Sequence, residues 1–170
     1  MKNILKQIFS FILPVTVLIL VPLYIEKKIS ISSIFAFLGG VIFMSSGIYI
    51  MARTISGFIR LGEGTLAPWS PTRKLVIKGM YRYVRNPMII GVIIVLIGES
   101  IAILSFKIFI WVTIFFIMNN IYFLIYEEPD LLKKFGDEYR EYKRNVPRWI
   151  PRLTPYNPGL SVQQKNTSDC

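Results

Sequence analysis

Residues 87–126 read PMIIGVIIVLIGESIAILSFKIFIWVTIFFIMNNIYFLIY, and this apolar stretch decides the fold. A transmembrane helix needs roughly 20 apolar residues, so the stretch holds enough chain to cross a bilayer and return. Phe106 and Lys107 separate its two halves. The pattern therefore predicts a tight antiparallel hairpin of two spans, about Pro87 to Ser105 and about Ile108 to Tyr126. Folding this hairpin brings the polar stretches on either side of it to the same membrane face.

The polar stretch before the hairpin, residues 79–87, reads GMYRYVRNP. Its glycine lets the backbone approach a ligand closely, and Tyr81 offers an aromatic face with a hydroxyl. Arg85 presents a planar fork of donors, and Asn86 offers both a donor and an acceptor. Pro87 suits the first turn of the helix that begins there. A basic, aromatic juxtamembrane belt has the same composition, so composition alone does not choose between a site and a belt.

The polar stretch after the hairpin begins with two adjacent carboxylates, Glu127 and Glu128. At that position they could hold a cation or the hydroxyls of a ribose, or they could simply favour the start of the next helix. A charged, amphipathic helix is predicted from about Pro129 to Arg144 on the cytoplasmic surface. Within it, Tyr139 and Tyr142 are predicted to form an interfacial face rather than ligand contacts.

The chain as a whole has the composition of a membrane protein. Hydrophobic residues make up 53% of it, and its mean hydropathy of +0.50 is too high for an ordinary soluble domain. Two further apolar runs, about Gln7 to Tyr24 and about Ser33 to Ala52, bring the expected number of spans to about four. The predicted fold class is all-α and polytopic, with one membrane-embedded domain over residues 1–155 and a flexible tail over residues 156–170.

Some small and polar residues interrupt the predicted spans. Gly39-Gly40 and Ser45-Ser46-Gly47 in the second span predict a face for close helix packing. Glu99, Asn119 and Asn120 lie within the hairpin. A polar side chain at membrane depth is a candidate for lining a site, whereas span asparagines more commonly form hydrogen bonds between helices.

The charges predict a topology and a class of partner. The net charge is +10, and the basic residues lie beside the apolar runs, mainly between Arg53 and Asn86 and after Tyr126. Anionic lipid headgroups explain that placement better than nucleic acid does, so the predicted partners are membrane lipids and not nucleic acid. The positive-inside rule then puts both termini and both polar stretches in the cytoplasm. The predicted location is a plasma or inner membrane if the source is prokaryotic.

Histidine and cysteine are too scarce in this chain to form several common kinds of catalytic or metal site. The chain has no histidine, and Cys170 is its only cysteine. This scarcity argues against a zinc or haem site, a Ser-His-Asp triad and a disulfide framework. No metal site is predicted.

The order of the polar motifs resembles that of the membrane-embedded methyltransferases of the isoprenylcysteine carboxyl methyltransferase and phospholipid methyltransferase superfamily. The matching motifs, within residues 62–151, are Gly62-Glu63-Gly64-Thr65, Leu75-Val76, Gly79-x-Tyr81-Arg82-Tyr83-x-Arg85-Asn86-Pro87-Met88, Gly91, Glu127-Glu128-Pro129-x-Leu131, Phe135-Gly136-x-x-Tyr139, Tyr142 and Val146-Pro147-Arg148-Trp149-Ile150-Pro151. The resemblance implies transfer of a methyl group from S-adenosylmethionine to a lipid-like or amphipathic acceptor.

The resemblance also implies which residues form the site. By position, the cofactor contacts would come from Arg73, Lys74, Leu75, Val76, Tyr81, Asn86, Pro87, Met88, Ile89 and Glu127. No group can be assigned to the chemical step itself, and the candidates for positioning the reactants are Tyr81, Arg85, Asn86 and Glu128. The cofactor-binding core would span about residues 62–151.

Two positions depart from the pattern of the superfamily. Many relatives have histidine where this chain has Asn86, and asparagine cannot carry a proton as a base near neutral pH. By the same resemblance, isoprenylcysteine methyltransferases hold the substrate carboxylate with an arginine one helical turn before the paired glutamates. At that position this chain has Phe123. Loss of that bidentate clamp argues against a prenylcysteine carboxylate as acceptor and makes a phospholipid amine, or another amphipathic acceptor, more plausible.

Two other functions remain open from the sequence. Membrane sterol and steroid reductases carry a similar Tyr-x-x-x-Arg-x-Pro segment, so an NADPH-dependent reductase of related architecture is one alternative. A non-catalytic membrane protein, whose basic loop and tail bind anionic lipid or a partner, is the other.

Overall fold

The computed structural model describes residues 14–27, 30–61 and 75–158, and within these ranges the chain is all-helical, without a β-strand. This confirms the predicted all-α class. The beginning of the first predicted span, the Gly62-Glu63-Gly64-Thr65 motif and two predicted cofactor contacts, Arg73 and Lys74, lie outside the described residues.

The described residues contain five helices and one short turn of 3-10 helix, joined and followed by non-helical segments. The described part of helix α1 starts at Pro14, includes a π-helical turn over Thr16–Leu20 and continues over Val21–Ile25. Helix α2 runs over Ile34–Leu61. The 3-10 turn occupies Gly79–Arg82, followed by α3 over Pro87–Ala102. Helix α4 runs over Phe106–Tyr122, passes through a π-helical turn over Phe123–Glu127, and leads into α5 over Glu128–Asn145.

Two stretches of helix are long and apolar enough to cross a membrane. One is Ile34–Gly57, and the other is the apolar part of the continuous helix Phe106–Asn145. The described part of α1 and helix α3 are shorter apolar helices. Large hydrophobic side chains are exposed along both long helices, among them Phe35 at 84% and Met118 at 60%. Such exposed apolar surface is expected where a helix faces lipid.

Helices α2 and α3 are packed so closely that their glycines are in contact. A Cβ atom added to Gly40 would lie 2.5 Å from the carbonyl oxygen of Gly98, and one added to Gly47 would lie 2.6 Å from that of Gly91. These pairs run in opposite order along the two helices, so the packing is antiparallel. The prediction of a small-residue face is therefore confirmed for these glycines of the second span.

The rest of the predicted small-residue face is not at the contact. Gly39 has open space around its Cα, and Ser45 and Ser46 are exposed. Both serine hydroxyls donate to carbonyl oxygens of their own helix. The expectation that these three residues pack against another helix was wrong, because helical periodicity turns them away from the face that carries Gly40 and Gly47.

A short turn joins α3 to α4, and their facing side chains form a core. Val92 and Leu96 of α3 pack against Val112 and Phe115 of α4. Ser105 caps α4 by accepting a hydrogen bond from the Ile108 N–H at 3.2 Å. The turn and its cap bring the start of α3 and the end of α4 to the same end of the helix pair.

Helix α5 bends at Gly136 and turns its second half onto the segment before α3. Gly136 has φ +54° and ψ −126°, a backbone conformation that favours glycine. Beyond the bend, Tyr139, Tyr142, Val146 and Tyr156 form a buried cluster. The prediction of an interfacial tyrosine face was therefore wrong, because a bend that the helical period did not indicate turns both tyrosines into protein.

Candidate functional site

The two polar stretches are joined by main-chain hydrogen bonds. We call residues 146–157, which follow α5, the C-terminal strap. The Arg85 N–H donates to the Pro147 carbonyl at 3.0 Å, and the Arg152 N–H donates to the Tyr83 carbonyl at 2.9 Å. The Tyr156 N–H donates to the Arg82 carbonyl, also at 2.9 Å. The strap thus lies along residues 82–85, and the packed part of the chain extends at least as far as Tyr156.

Glu128 is the centre of a buried ionic cluster. Its side chain is 6% exposed, and its Oε1 accepts from Arg85 Nη1 at 2.7 Å and from Arg148 Nε at 2.9 Å. Its Oε2 pairs with Lys143 Nζ at 2.6 Å. Arg148 Nη2 also pairs with the same carboxylate, so three cations from three parts of the chain meet one anion. The cluster fastens the start of α5 to residue 85 and to the strap.

The pKa of Glu128 reflects this environment. Burial by itself would raise it, but the hydrogen bond from Lys143 and the charges and hydrogen bonds of Arg85 and Arg148 outweigh burial and hold the pKa below its ordinary value. Glu128 is therefore a firmly ionised anchor for three basic side chains. Both of its carboxylate oxygens are paired with basic side chains of the protein, so its role is to hold those side chains in place.

Glu127, the preceding residue, is in the opposite situation. In the described part of the chain it makes no salt bridge, although it is only partly exposed. Burial, and then the charge of Glu128, raise its pKa, and the charge of Arg148 partly offsets the rise, so that the pKa moves from 4.5 to about 7. A half-buried carboxylate without a cationic partner is electrostatically suited to a ligand that brings positive charge.

Tyr81 lies within electrostatic range of Glu127. Burial, and then the charge of Glu127, raises the pKa of the Tyr81 hydroxyl well above its ordinary value. The Tyr142 hydroxyl donates to the Tyr81 carbonyl at 2.7 Å, which ties the 3-10 turn to α5. Together with the Arg85–Glu128 ion pair, this bond brings the segment that holds Tyr81 and the start of α5 to the same end of the helix pair.

The remaining predicted site residues within the described ranges lie before the 3-10 turn or at the start of α3. Asn86 precedes α3 and its side chain makes no capping hydrogen bond, while Pro87 is buried at the first helical position, as predicted. Met88 is half-buried in the first turn of α3, and Ile89 packs against the core between α3 and α4. In the extended segment before the 3-10 turn, Leu75 packs against the cluster around Tyr139, and Val76 is half-buried.

One polar residue of the predicted hairpin does not reach the site. Glu99 is about 18 Å further along α3 than Pro87, since a helix rises 1.5 Å per residue. One of its carboxylate oxygens is buried without a hydrogen-bond partner in the described residues. It therefore does not line the same site as Glu127.

Sequence reasoning assigned no role at the site to Arg148 or Lys143, whereas it named Asn120 as a candidate. Arg148 joins Glu128 to Asn120, to which its Nη1 donates at 2.8 Å. The available signal was an arginine followed by tryptophan between two prolines, directly after a charged helix. Such a segment cannot continue the helix and must pack as a loop, where an arginine can reach back to a carboxylate.

The end of α4 contains a local irregularity beside the two glutamates. Its last turn, Phe123–Glu127, is π-helical, and the Glu128 N–H bonds to the Phe123 carbonyl five residues earlier. A π-helical turn holds more residues per turn than an α-helix and is frequent at functional sites. It sets the direction in which each carboxylate of the pair leaves the helix.

The sequence of the chain is similar to those of several known proteins. The chain is 36% identical over 72 residues to methanethiol S-methyltransferase 1 of Bradyrhizobium diazoefficiens, covering 42% of this chain and 24% of that protein. It is 35% identical over 85 residues to the protein-S-isoprenylcysteine O-methyltransferase of Schizosaccharomyces pombe, covering 46% of this chain and 34% of that protein. An uncharacterized Haemophilus influenzae protein is 43% identical over 54 residues, which is 76% of its length and 32% of this chain.

The two named relatives are matched over only about a quarter and a third of their lengths. No solved structure matches the chain significantly. The family model for phospholipid methyltransferase, however, matches residues 33–138, which is more than half of the chain and includes α2, α3, α4 and both glutamates. Together with the superfamily resemblance of the motifs, this match shows that the chain belongs to the phospholipid methyltransferase family.

Proposed function

We propose that this chain is an integral-membrane methyltransferase that uses S-adenosylmethionine and acts on a lipid-like or amphipathic acceptor. The observation that supports this most is the joining of the two polar stretches at one end of the helix pair, by the Arg85–Glu128 ion pair and the Tyr142–Tyr81 hydrogen bond, in a member of the phospholipid methyltransferase family. The same family match favours a methyltransferase over a reductase.

The residues at the site suit the cofactor. S-adenosylmethionine carries positive charge, and Glu127 is a half-buried carboxylate that lacks a salt bridge in the described chain. Tyr81, whose hydroxyl is within electrostatic range of Glu127, supplies an aromatic face, which attracts cations. Arg85 has a buried Nε donor without a partner among the described residues, and that donor could serve a carboxylate or phosphate oxygen.

The protein has to do little beyond alignment in such a reaction. When bound, S-adenosylmethionine supplies a methyl group that its sulfonium already activates. The residues of this chain then hold the acceptor in line and exclude water. Positioning of this kind can contribute roughly 7–11 kcal/mol without a nucleophile or a metal. Asn86 fits this scheme, because an amide can orient a reactant by hydrogen bonding although it cannot act as a base.

The acceptor we favour is a phospholipid amine or a similar amphiphile. Phe123 is buried and packs edge-on against Trp149, with ring centroids 5.9 Å apart, so an apolar side chain stands where a carboxylate clamp is expected in isoprenylcysteine methyltransferases. The names of the matched relatives refer to methanethiol and to isoprenylcysteine, which shows that acceptors differ among related proteins. An acceptor without a carboxylate at that place fits this chain best.

We further propose that the chain crosses the membrane about four times with both termini and the site in the cytoplasm. Helices α2 and α4 are long enough to span, and α1 and α3 pack with them. The basic residues beside the site, such as Arg85, Lys143 and Arg148, agree with the positive-inside rule.

Transfer of a labelled methyl group tests the proposal. Detergent-purified protein is incubated with lipid extracts and S-adenosylmethionine labelled in the methyl group, and the lipids are then separated by class. We expect label in an amine-bearing phospholipid fraction with the wild type and with Lys133→Ala, an exposed control, and none with Tyr81→Ala. Label in no fraction from the wild type would contradict the proposed acceptor class.

A parallel measurement tests the cofactor. A ligand that binds only the folded state raises the unfolding temperature. We expect S-adenosylmethionine and S-adenosylhomocysteine to raise it and NADPH to leave it unchanged. Stabilisation by NADPH alone would overturn the proposal in favour of a reductase, and no response to any of the three would favour a non-catalytic membrane protein.

A further inference from the structure

The neighbouring asparagines of α4 have different partners. Asn119 Nδ2 donates to the Phe115 carbonyl of its own helix at 2.8 Å. Asn120 Oδ1 instead accepts from two residues of the C-terminal strap, Arg148 Nη1 at 2.8 Å and Trp149 Nε1 at 3.2 Å. Asn120 therefore links the apolar helix to a segment that follows it by 28 residues.

The link fixes the orientation of Arg148. Asn120 holds Nη1 of the guanidinium, and Glu128 holds its Nε and Nη2. Since the guanidinium is planar, contacts on two of its sides determine both its position and its tilt. Arg148 in turn contributes to the pKa of Glu127, so Asn120 acts indirectly on the electrostatics of the site.

The link also fixes the ring of Trp149. That ring packs against Phe116 at 4.9 Å and against Phe123 at 5.9 Å between ring centroids. Phe116 is 38% exposed on α4, so Trp149 lies between the apolar surface of that helix and the Glu128 cluster. An acceptor that reaches Glu127 sideways from the bilayer would pass this ring.

We infer that Asn120 is a positioning residue, which acts through Arg148 and Trp149 to hold the strap where an amphipathic acceptor contacts it. This inference rests on the proposed function for the identity of the reaction. The position of the strap, however, follows from the hydrogen bonds alone. Main-chain bonds join the strap to residues 82–85 on one side, and Asn120 joins it to α4 on the other.

The chemistry of the two donors predicts which substitutions are tolerated. A guanidinium and an indole N–H can only donate, so the side chain at position 120 must accept twice. Asn120→Asp keeps the accepting oxygen and places a negative charge beside Arg148. Asn120→Leu removes the acceptor and keeps the branching at Cγ. Asn119→Leu is the matched control, because it makes the same change one residue away at a side chain that bonds only its own helix in the described chain.

Two measurements test the inference. Hydrogen–deuterium exchange of residues 146–157 reports whether the strap is held, and methyl-transfer kinetics report KM for the acceptor separately from the Kd for S-adenosylmethionine. We expect Asn120→Leu to speed exchange in the strap and to raise KM about tenfold, the effect of losing one hydrogen bond to a charged group. The Kd should change much less, and Asn120→Asp and Asn119→Leu should resemble the wild type.

Several outcomes would overturn the inference. Wild-type exchange and KM in Asn120→Leu would show that the strap does not depend on this residue. An equal loss in Asn120→Asp would show that accepting oxygens are not what matters, and an equal loss in Asn119→Leu would show a general effect of apolar substitution. If the wild type transfers no methyl group, the proposed function fails, while the exchange data still decide whether Asn120 holds the strap.

Discussion

Glu127 and Glu128 are adjacent in sequence, and their environments are opposite. Glu128 is surrounded by Arg85, Lys143 and Arg148, whereas Glu127 makes no salt bridge in the described chain. The sequence indicated both glutamates as candidate site residues, but it did not indicate that only one of them would be ion-paired. The difference between their environments depends on residues far along the chain and on the π-helical turn that precedes Glu128.

A pH-dependent change in stability follows for Glu127. In the unfolded chain the carboxyl ionises near 4.5, but in the folded protein its pKa is about 7. Between these values the folded state binds the extra proton, so the free energy of unfolding falls as pH rises through this window and stays low above it. We expect Glu127→Gln to remove that cost and to unfold at a higher temperature than the wild type at pH 8.

Thermal unfolding of both proteins between pH 5 and 8 measures this effect. The difference should shrink as the pH falls towards 4.5, because the carboxyl is then protonated in the folded state and increasingly protonated in the unfolded chain. A difference that is independent of pH, or a variant less stable than the wild type at pH 8, would show that Glu127 is not held in an unfavourable environment.

Glu128 should behave in the reverse way. Glu128→Gln leaves Arg85 and Arg148 buried without a counter-charge, at 11% and 13% side-chain exposure. Breaking a buried ion pair in this way costs about 3–5 kcal/mol. We expect a large fall in unfolding temperature, measured in the same detergent as the wild type.

Asp137→Asn is the matched control for that prediction. Asp137 pairs with Arg140, but the two side chains are 91% and 70% exposed. Exposed pairs contribute little to stability, so no clear change is expected. Similar losses in the two variants would mean that the Glu128 cluster is not a stabilising centre.

At the scale of elements, the contact between α2 and α3 depends on the absence of side chains at four glycines. Gly40→Ala places a methyl group 2.5 Å from the Gly98 carbonyl oxygen, so the helices must separate. Overpacking of this kind costs about 1–3 kcal/mol. Gly39→Ala, on the neighbouring residue, meets nothing within 4 Å and should be neutral or slightly stabilising. The unfolding temperatures of both variants in detergent measure this difference. Equal effects of the two substitutions would contradict the close packing of α2 against α3.

The bend in α5 gives a second prediction at this scale. Gly136 has φ +54°, and a side chain there would strain the backbone by about 1–3 kcal/mol although the surrounding space is open. We expect Gly136→Ala to lower the unfolding temperature. Gly57→Ala also meets open space, but at an ordinary φ within α2, and should not lower it. A stable Gly136→Ala variant would show that the bend does not need glycine.

The elements show where sequence patterns are informative and where they stop. Long apolar runs predicted helices α3 and α4 and the start of α2 closely, because such segments are helical wherever length and hydropathy suit a span. The end of α2 was predicted wrongly, since the helix continues past Ala52 to Leu61 in a more polar stretch. The bend at Gly136 and the π-helical turn at the end of α4 had no periodic signal. Both depend on tertiary contacts, such as the packing of Tyr139 and Tyr142, and these contacts redirect a helix that local propensity would leave straight.

At the scale of the whole molecule, the hairpin of α3 and α4 makes a site possible. It returns the chain to the end at which it started, so the segment that holds Tyr81 and the glutamate pair come together despite the helices between them. This much followed from the sequence, because the turn is short and both flanking stretches are polar. The closure of that end by the strap did not follow, because it rests on Arg148 and Asn120 contacts between distant residues.

Calorimetric titration with S-adenosylmethionine tests the shared site of Tyr81 and Glu127 most directly. We expect the wild type and Asp137→Asn to bind it at one site per chain. Tyr81→Ala keeps the main-chain bond from Tyr142, and Glu127→Gln keeps its volume, so both should stay folded and bind at least about tenfold more weakly. No heat of binding with the wild type, or unchanged affinity in both folded variants, would contradict the account.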